Sequence, residues 1–188
     1  PYTWLGVAAA FLDIRLLQLY GGAVEQAYYA IAAQFATVAL LATNSILRIL
    51  WKEVSEANFK GDLKKIQKMY EVTNRVLFFI GAVVAGALIP WTETIISILL
   101  GEEYLSGAVV MAIMLLYPIH QSLGQINGTV FLALELTQSY VLIGSAQLLI
   151  SMVIGYFCLA PIDAKIPGLG LASTGLALKM VILQFVGV

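Results

Sequence analysis

An all-α bundle of membrane-spanning helices is the fold class this sequence predicts, and three observations carry the prediction. Hydrophobic residues fill 61% of the 188 positions and charged residues only 11%, with a mean hydropathy of +0.92. Soluble domains carry about 25% charge, so most of this surface needs lipid as its solvent. Between Asn74 and Gly187 the chain is apolar almost without a break, interrupted by short segments such as Gly101 to Gly107 and Glu135 to Ser139. The apolar runs reach about 20 residues or more, as a spanning helix requires, whereas a barrel strand needs about 10 with strict alternation. Backbone polar groups in hydrocarbon must be satisfied within the segment, which selects the helix.

About six transmembrane helices are expected, at residues 2–20, 24–47, 74–100, 108–133, 140–160 and from 169 to the end. The first stops at Gly21-Gly22, where glycine frees the backbone to turn. The second stops at Arg48, a cation that can snorkel to headgroups. Residues 48–73 are too polar to span. Val54, Phe59, Leu63, Ile66 and Tyr70 recur there at helical spacing against Lys and Glu, which predicts an amphipathic helix or pair at the membrane interface. The third span ends at Gly101 and the acidic Glu102-Glu103. The fourth holds Pro118, which removes a backbone donor and predicts a bend. Polar residues around Glu135 to Ser139 and the Pro161 to Gly168 loop close the fourth and fifth, and Gly170 to Gly175 suits close packing at the start of the sixth.

Net charge is −1, and its distribution says more than its total. Arg48, Lys52, Lys60, Lys64, Lys65 and Lys68 crowd one connector, with Arg75 just past it, whereas the connectors on the other side hold only Lys165. By the positive-inside rule that connector is cytoplasmic, and so are both ends of the chain. The expected organisation is a single transmembrane bundle over residues 1–188, containing a basic amphipathic cytoplasmic connector at 48–73. The chain opens at Pro1 and stops at Val188 inside apolar runs, without an initiator Met or a signal-peptide pattern, and so reads as a fragment.

The one cysteine, Cys158, cannot form an intrachain disulfide and reads as a packing residue. No metalloprotease, serine-hydrolase or phosphate-loop motif is present, no nucleic-acid motif, and no His/Cys spacing for a metal. The expectation is a protein that is not an enzyme and needs neither cofactor nor metal.

Polar side chains inside spans are costly and mark cavities, pathways or helix contacts. In the first span Arg15 and Gln18 point within about 60° of each other, but Asp13 lies about 160° from Arg15. One of the two charges is therefore expected to face a neighbouring helix and the other a hydrated space. The fourth span carries His120, Gln121, Gly124, Gln125, Asn127 and Gly128 within an arc of about 160°, with Leu123, Ile126 and Val130 opposite. His120 can relay protons or donate to a sugar or phosphate; alternatively it is a packing residue. The amides suit a hydrated groove or, more blandly, interhelical hydrogen bonds. Lys179, near the middle of the sixth span, is expected to face the protein interior and pair with an anionic ligand or with an acid elsewhere.

These residues resemble a known family. The run from Asp13 through Arg15, Gln18 and Tyr20 to Gly21-Gly22, followed by Glu25-Gln-Ala-Tyr-Tyr-Ala-Ile-Ala32, is similar to a pattern of polysaccharide flippases. These form the O-antigen and lipid-linked oligosaccharide branch of the multidrug/oligosaccharidyl-lipid/polysaccharide exporter superfamily. Gly61-Asp62-Leu63, the stretch from Ile95 to Tyr104 and the stretch from Pro167 to Gly175 fit the same branch. The similarity runs in order along nearly the whole chain. It departs at Ile46 to Trp51, where family members often carry proline.

The resemblance implies most of the C-terminal lobe of a two-lobed flippase in a bacterial or archaeal cytoplasmic membrane, with the N-terminal lobe of the same protein as its missing partner. Its substrate would be an undecaprenyl-pyrophosphate-linked oligosaccharide, turned from the cytoplasmic to the outer leaflet by alternating access. On that reading Arg15 and Lys179 would contact pyrophosphate, while Gln18, His120, Gln121, Gln125 and Asn127 would line the substrate path. Two other readings stay open. A cation-coupled multidrug antiporter of the same superfamily would couple through Asp13, and a non-transporting scaffold for polysaccharide assembly would recruit enzymes through the basic segment from Trp51 to Glu71. Membrane lipid is a partner in all three.

Overall fold

Gly22 decides where the longest helix folds back. In the computed structural model, which describes residues 2–186, the helix α1 (Tyr2–Phe59) holds a non-helical Gly22 at φ 81°, ψ −177°, a region essentially reserved for glycine. It divides α1 into a first limb, residues 2–21, and a second limb, residues 23–59. The remaining helices are α2 (Leu63–Leu88), α3 (Thr92–Leu99), α4 (Ala108–Met114), α5 (Tyr117–Ala133), α6 (Thr137–Leu159) and α7 (Ala172–Val186). Short 3₁₀ turns, Ile89–Trp91 and Glu102–Gly107, lie on either side of α3. There is no strand among the described residues.

Contacts give the helix directions. Tyr2 stacks edge-on against Tyr140, Asp13 lies beside Gly155 and Tyr20 meets Tyr156, so the first limb runs parallel to α6. In the second limb Tyr28 packs on Gly107 and Thr43 bonds Ser122 at 3.2 Å, so it runs parallel to α4 and α5. Gln147 pairs with Leu183 and Gly155 with Lys179, which makes α7 antiparallel to α6. With Ala177 beside Met111 and Gln184 against Gly124, α7 runs parallel to α4 and α5. The two limbs of α1 therefore run in opposite directions, and the chain reverses at Gly22.

Four stretches among the described residues are long and apolar enough to cross a membrane: Tyr2–Val38, Leu63–Leu99, Glu102–Ala133 and Thr137–Leu159. The first contains the reversal, so its limbs take the place of the first two expected spans; the first limb, about 20 residues, reaches ~30 Å, the thickness of the hydrocarbon. Ala172–Gln184 is apolar but shorter, because the chain from Pro161 to Leu171 forms turns and irregular structure before α7 begins. The chain is an all-α membrane protein. Gly187 and Val188, the end of the sixth expected span, lie outside the described residues.

The basic segment 48–73 is not a separate element between spans. The second limb continues as helix to Phe59 and α2 starts at Leu63, so both spans extend into it and meet at a turn around Gly61, φ 69°. Asp62 caps α2 by accepting a hydrogen bond from the Lys65 amide at 3.0 Å. The apolar residues that suggested an amphipathic pair close this hairpin: Val54 and Ile66 are buried with Leu50, Ala57, Leu77 and Ile126. Phe59 and Leu63, at its tip, stay exposed.

A second core forms where small residues let helices approach. Ala32 and Ala36 of the second limb are buried with Met111 and Met114 of α4 and Ala177 of α7. Glycines do the same elsewhere: a Cβ on Gly175 would fall 2.9 Å from the Cys158 carbonyl oxygen, and one on Gly128 3.1 Å from the Tyr140 ring. The expected bend before α5 is present. Helix α4 ends at Met114, and Pro118 stands in the first turn of α5, where its missing N–H leaves no bond unmade.

Candidate functional site

Where α5 turns its polar face inward, the opposing wall is built of small residues. Gly6, Ala9 and Ala10 of the first limb face Gln121, Gly124, Gln125, Asn127 and Gly128 of α5, leaving a cavity of about 560 Å³. That is the size range of small-molecule sites. Tyr140, Gly144, Gln147 and Ser151 of α6 form a third side, and Leu183 and Gln184 of α7 a fourth. Leu47 and Trp51 of the second limb border it near the hairpin end.

Five side-chain amides thus surround one space. Three are held by the frame: the Tyr70 hydroxyl donates to Asn127 Oδ1 at 2.7 Å, Gln147 Nε2 donates to the Leu183 carbonyl at 3.3 Å, and the Gln184 side chain hydrogen-bonds Tyr117. Gln125 keeps a buried carbonyl oxygen, Oε1, with no hydrogen-bond partner. An unmet acceptor of this kind carries a desolvation cost that a donor would relieve. An amide both donates and accepts, so the set can hold hydroxyl groups in either sense.

Asp13 is the one charged side chain lining the cavity among the described residues. Lys179 Nζ donates to both its carboxylate oxygens, at 2.6 and 2.5 Å. The Lys179 side chain is fully buried and that of Asp13 is 12% exposed. Removal of two charges from water is offset only by such close pairing. Gly155 of α6 makes the space for it: a Cβ there would stand 2.7 Å from Asp13 Oδ1 and 2.9 Å from Lys179 Nζ. A second tie joins the second limb to α7 near Gly22, where both the backbone N–H and the hydroxyl of Ser173, at the start of α7, donate to Glu25 Oε2.

The expected site residues therefore divide. Gln121, Gln125, Asn127 and Asp13 line the cavity, and Lys179 stands behind Asp13 as its partner. Of the two charges in the first span, Asp13 faces α7 and Arg15 is exposed, as is Gln18; neither Arg15 nor Gln18 lines the cavity. His120 is half-buried on α5, outside the lining. Sequence reasoning did not single out Gln184, Trp51, Tyr2 or Gly155. Gln184 had a signal, a lone amide in an apolar span one turn beyond Met180, whereas Gly155 is visible only once Asp13 and Lys179 are known to meet. Among the described residues no three of His, Cys, Asp and Glu gather so as to hold a metal ion. Comparison with protein-family models, with curated proteins and with solved structures finds no match to this chain.

Proposed function

We propose that this chain is the greater part of one lobe of a membrane flippase that carries a lipid-linked oligosaccharide across a cytoplasmic membrane by alternating access. The observation that carries the reading is the amide-lined cavity between helices that are otherwise apolar. A polar-lined cavity of about 560 Å³ inside membrane-spanning helices is not what packing alone favours, since an apolar core of the same volume would be more stable. Amides suit sugar hydroxyls because each can donate and accept. The sequence resemblance supplies the lipid carrier and the direction of travel. In this reading the bundle rocks against a second lobe, the cavity opens to one side and then the other, and the oligosaccharide crosses within it while its lipid tail stays in the bilayer.

Depletion of the protein that carries this chain, followed by assay of surface polysaccharide and of lipid-linked precursor in each leaflet, tests the proposal. The expected result is loss of surface polysaccharide with precursor trapped in the inner leaflet. Normal polysaccharide and no trapped precursor would overturn it.

One observation favours a second reading. Asp13 is a carboxylate at the edge of a membrane cavity, as a cation-coupled exporter of small molecules would need. That reading expects Asp13→Asn to lower tolerance to exported drugs while leaving polysaccharide intact.

A further inference from the structure

The cavity holds hydrogen-bonding capacity without net charge, and that combination discriminates between ligands. We propose that the Asp13–Lys179 pair makes the cavity a site for uncharged, hydroxyl-rich groups, the neutral sugar portion of a carried ligand, and excludes anionic groups, including acidic sugars and the phosphate. The proposal rests on the reading of the cavity as the ligand site and adds which chemistry it accepts.

Three features carry it. The first is the order of the two charges: Asp13 lines the cavity while Lys179 is fully buried behind it, so an entering anion meets the carboxylate first. The second is saturation of the cation. Both Asp13 oxygens already accept from Lys179 Nζ at 2.5 and 2.6 Å, and an anion would have to displace a preformed, desolvated partner to reach it. Arg15, the other cation expected to contact phosphate, is exposed on another face of the first limb and does not line the cavity.

The third feature is what remains for a ligand to touch. Gln121 and Gln125 line the cavity without a hydrogen bond to the frame from their amide nitrogens among the described residues, and Gln184 lines it beside Tyr117. Tyr2, Trp51 and Tyr140 present ring surface at the edges, which suits the apolar C–H faces of a sugar ring. A site built to hydrogen-bond hydroxyl groups rejects ligands that leave its polar groups unpaired, and a carboxylate whose cation is already paired offers an entering anion no compensating charge.

The test uses the purified protein that carries this chain, in detergent, with Trp4→Phe and Trp91→Phe so that Trp51 reports on the cavity. Fluorescence titration compares maltotriose, a neutral trisaccharide, with trigalacturonate, an acidic one of the same length. The expected result is that maltotriose binds at least tenfold more tightly. The Asp13→Asn variant, which leaves Lys179 as an unpaired cation, should shift the ratio at least tenfold towards trigalacturonate. Should that variant fail to fold, the doubly neutral Asp13→Asn/Lys179→Gln protein serves, and it should still bind maltotriose. Equal binding of the two sugars by the unmodified pair, or preference for the acidic one, overturns the inference and leaves the ligand site standing. Binding of neither sugar overturns the cavity as a sugar site and this inference with it.

Discussion

Two ion pairs of the same chemistry stand at opposite extremes of this molecule. Lys65 and Glu53 meet at 2.9 Å across the hairpin around Gly61, with side chains 44% and 39% exposed. Lys179 and Asp13 meet at 2.5 Å inside the bundle, 0% and 12% exposed. The outer pair exchanges water for a partner and gains little, because solvent screens it and two long side chains must be ordered. The inner pair joins the first limb of α1 to α7 where water is scarce, so each charge depends on the other. Distance alone, 2.9 against 2.5 Å, would rank them as near equals; burial separates them.

Breaking the inner pair at one partner should have the largest effect. Asp13→Asn or Lys179→Met alone leaves a buried charge uncompensated and is expected to cost about 3–5 kcal/mol, read as a lowered unfolding midpoint in detergent. Replacing both, as Asp13→Leu with Lys179→Met, should recover most of that loss; if the double variant is no better than the worse single one, the two residues are not coupled. Gly155→Ala comes next, because its Cβ would fall 2.7 Å from Asp13 Oδ1. Overpacking of this kind costs about 1–3 kcal/mol, and the loss should shrink when Asp13 is already leucine.

The outer hairpin should respond far less. Asp62→Ala removes the cap on α2 and is expected to cost about 1 kcal/mol, visible as faster amide exchange in the first turn of α2. Lys65→Met should leave the unfolding midpoint within error. Its effect belongs instead to titration: the Lys65 hydrogen bond and charge hold the Glu53 carboxyl below the usual carboxylate range. A lowered acid contributes stability above its unfolded value and loses it as pH falls through the folded one. Lys65→Met should therefore move the Glu53 midpoint up, measurable by carbon-detected NMR of labelled glutamate. An unmoved midpoint would mean that the pair does not form in solution.

Much of the frame was legible because it rests on local chemistry. The Gly21-Gly22 break, the stop at Gly101 and the bend before Pro118 each depend on residues that act within a few positions of themselves. The polar arc of α5 was legible for the same reason, since helical spacing alone puts Gln121, Gln125 and Gly128 on one face. The boundaries that slipped did so through tertiary contact. Residues 48–73 looked too polar to continue a span, yet burial of Val54 against Ile66 and Ile126 extends both helices to within a turn of each other. Pairing of Asp13 with Lys179 was beyond reach for a different reason. It joins positions 166 residues apart, and no local pattern distinguishes an acid that meets a lysine from one that meets water. The cavity lining had the same limit, as Gln125, Gln147 and Gln184 come from three helices and only their packing makes one site.

The closeness of Asp13 and Lys179 also bears on how the protein responds to membrane voltage. A single elementary charge moved through the bilayer field exchanges about 2.3 kcal/mol per 100 mV with it. Opposite charges 2.5 Å apart that travel together exchange almost nothing, since the work on one cancels the work on the other. Any motion that carries the first limb and α7 as one body therefore draws no voltage dependence from this pair, leaving Arg15 as the charge of the first limb that couples to the field, and neutralising either partner alone would add a further elementary charge to that step.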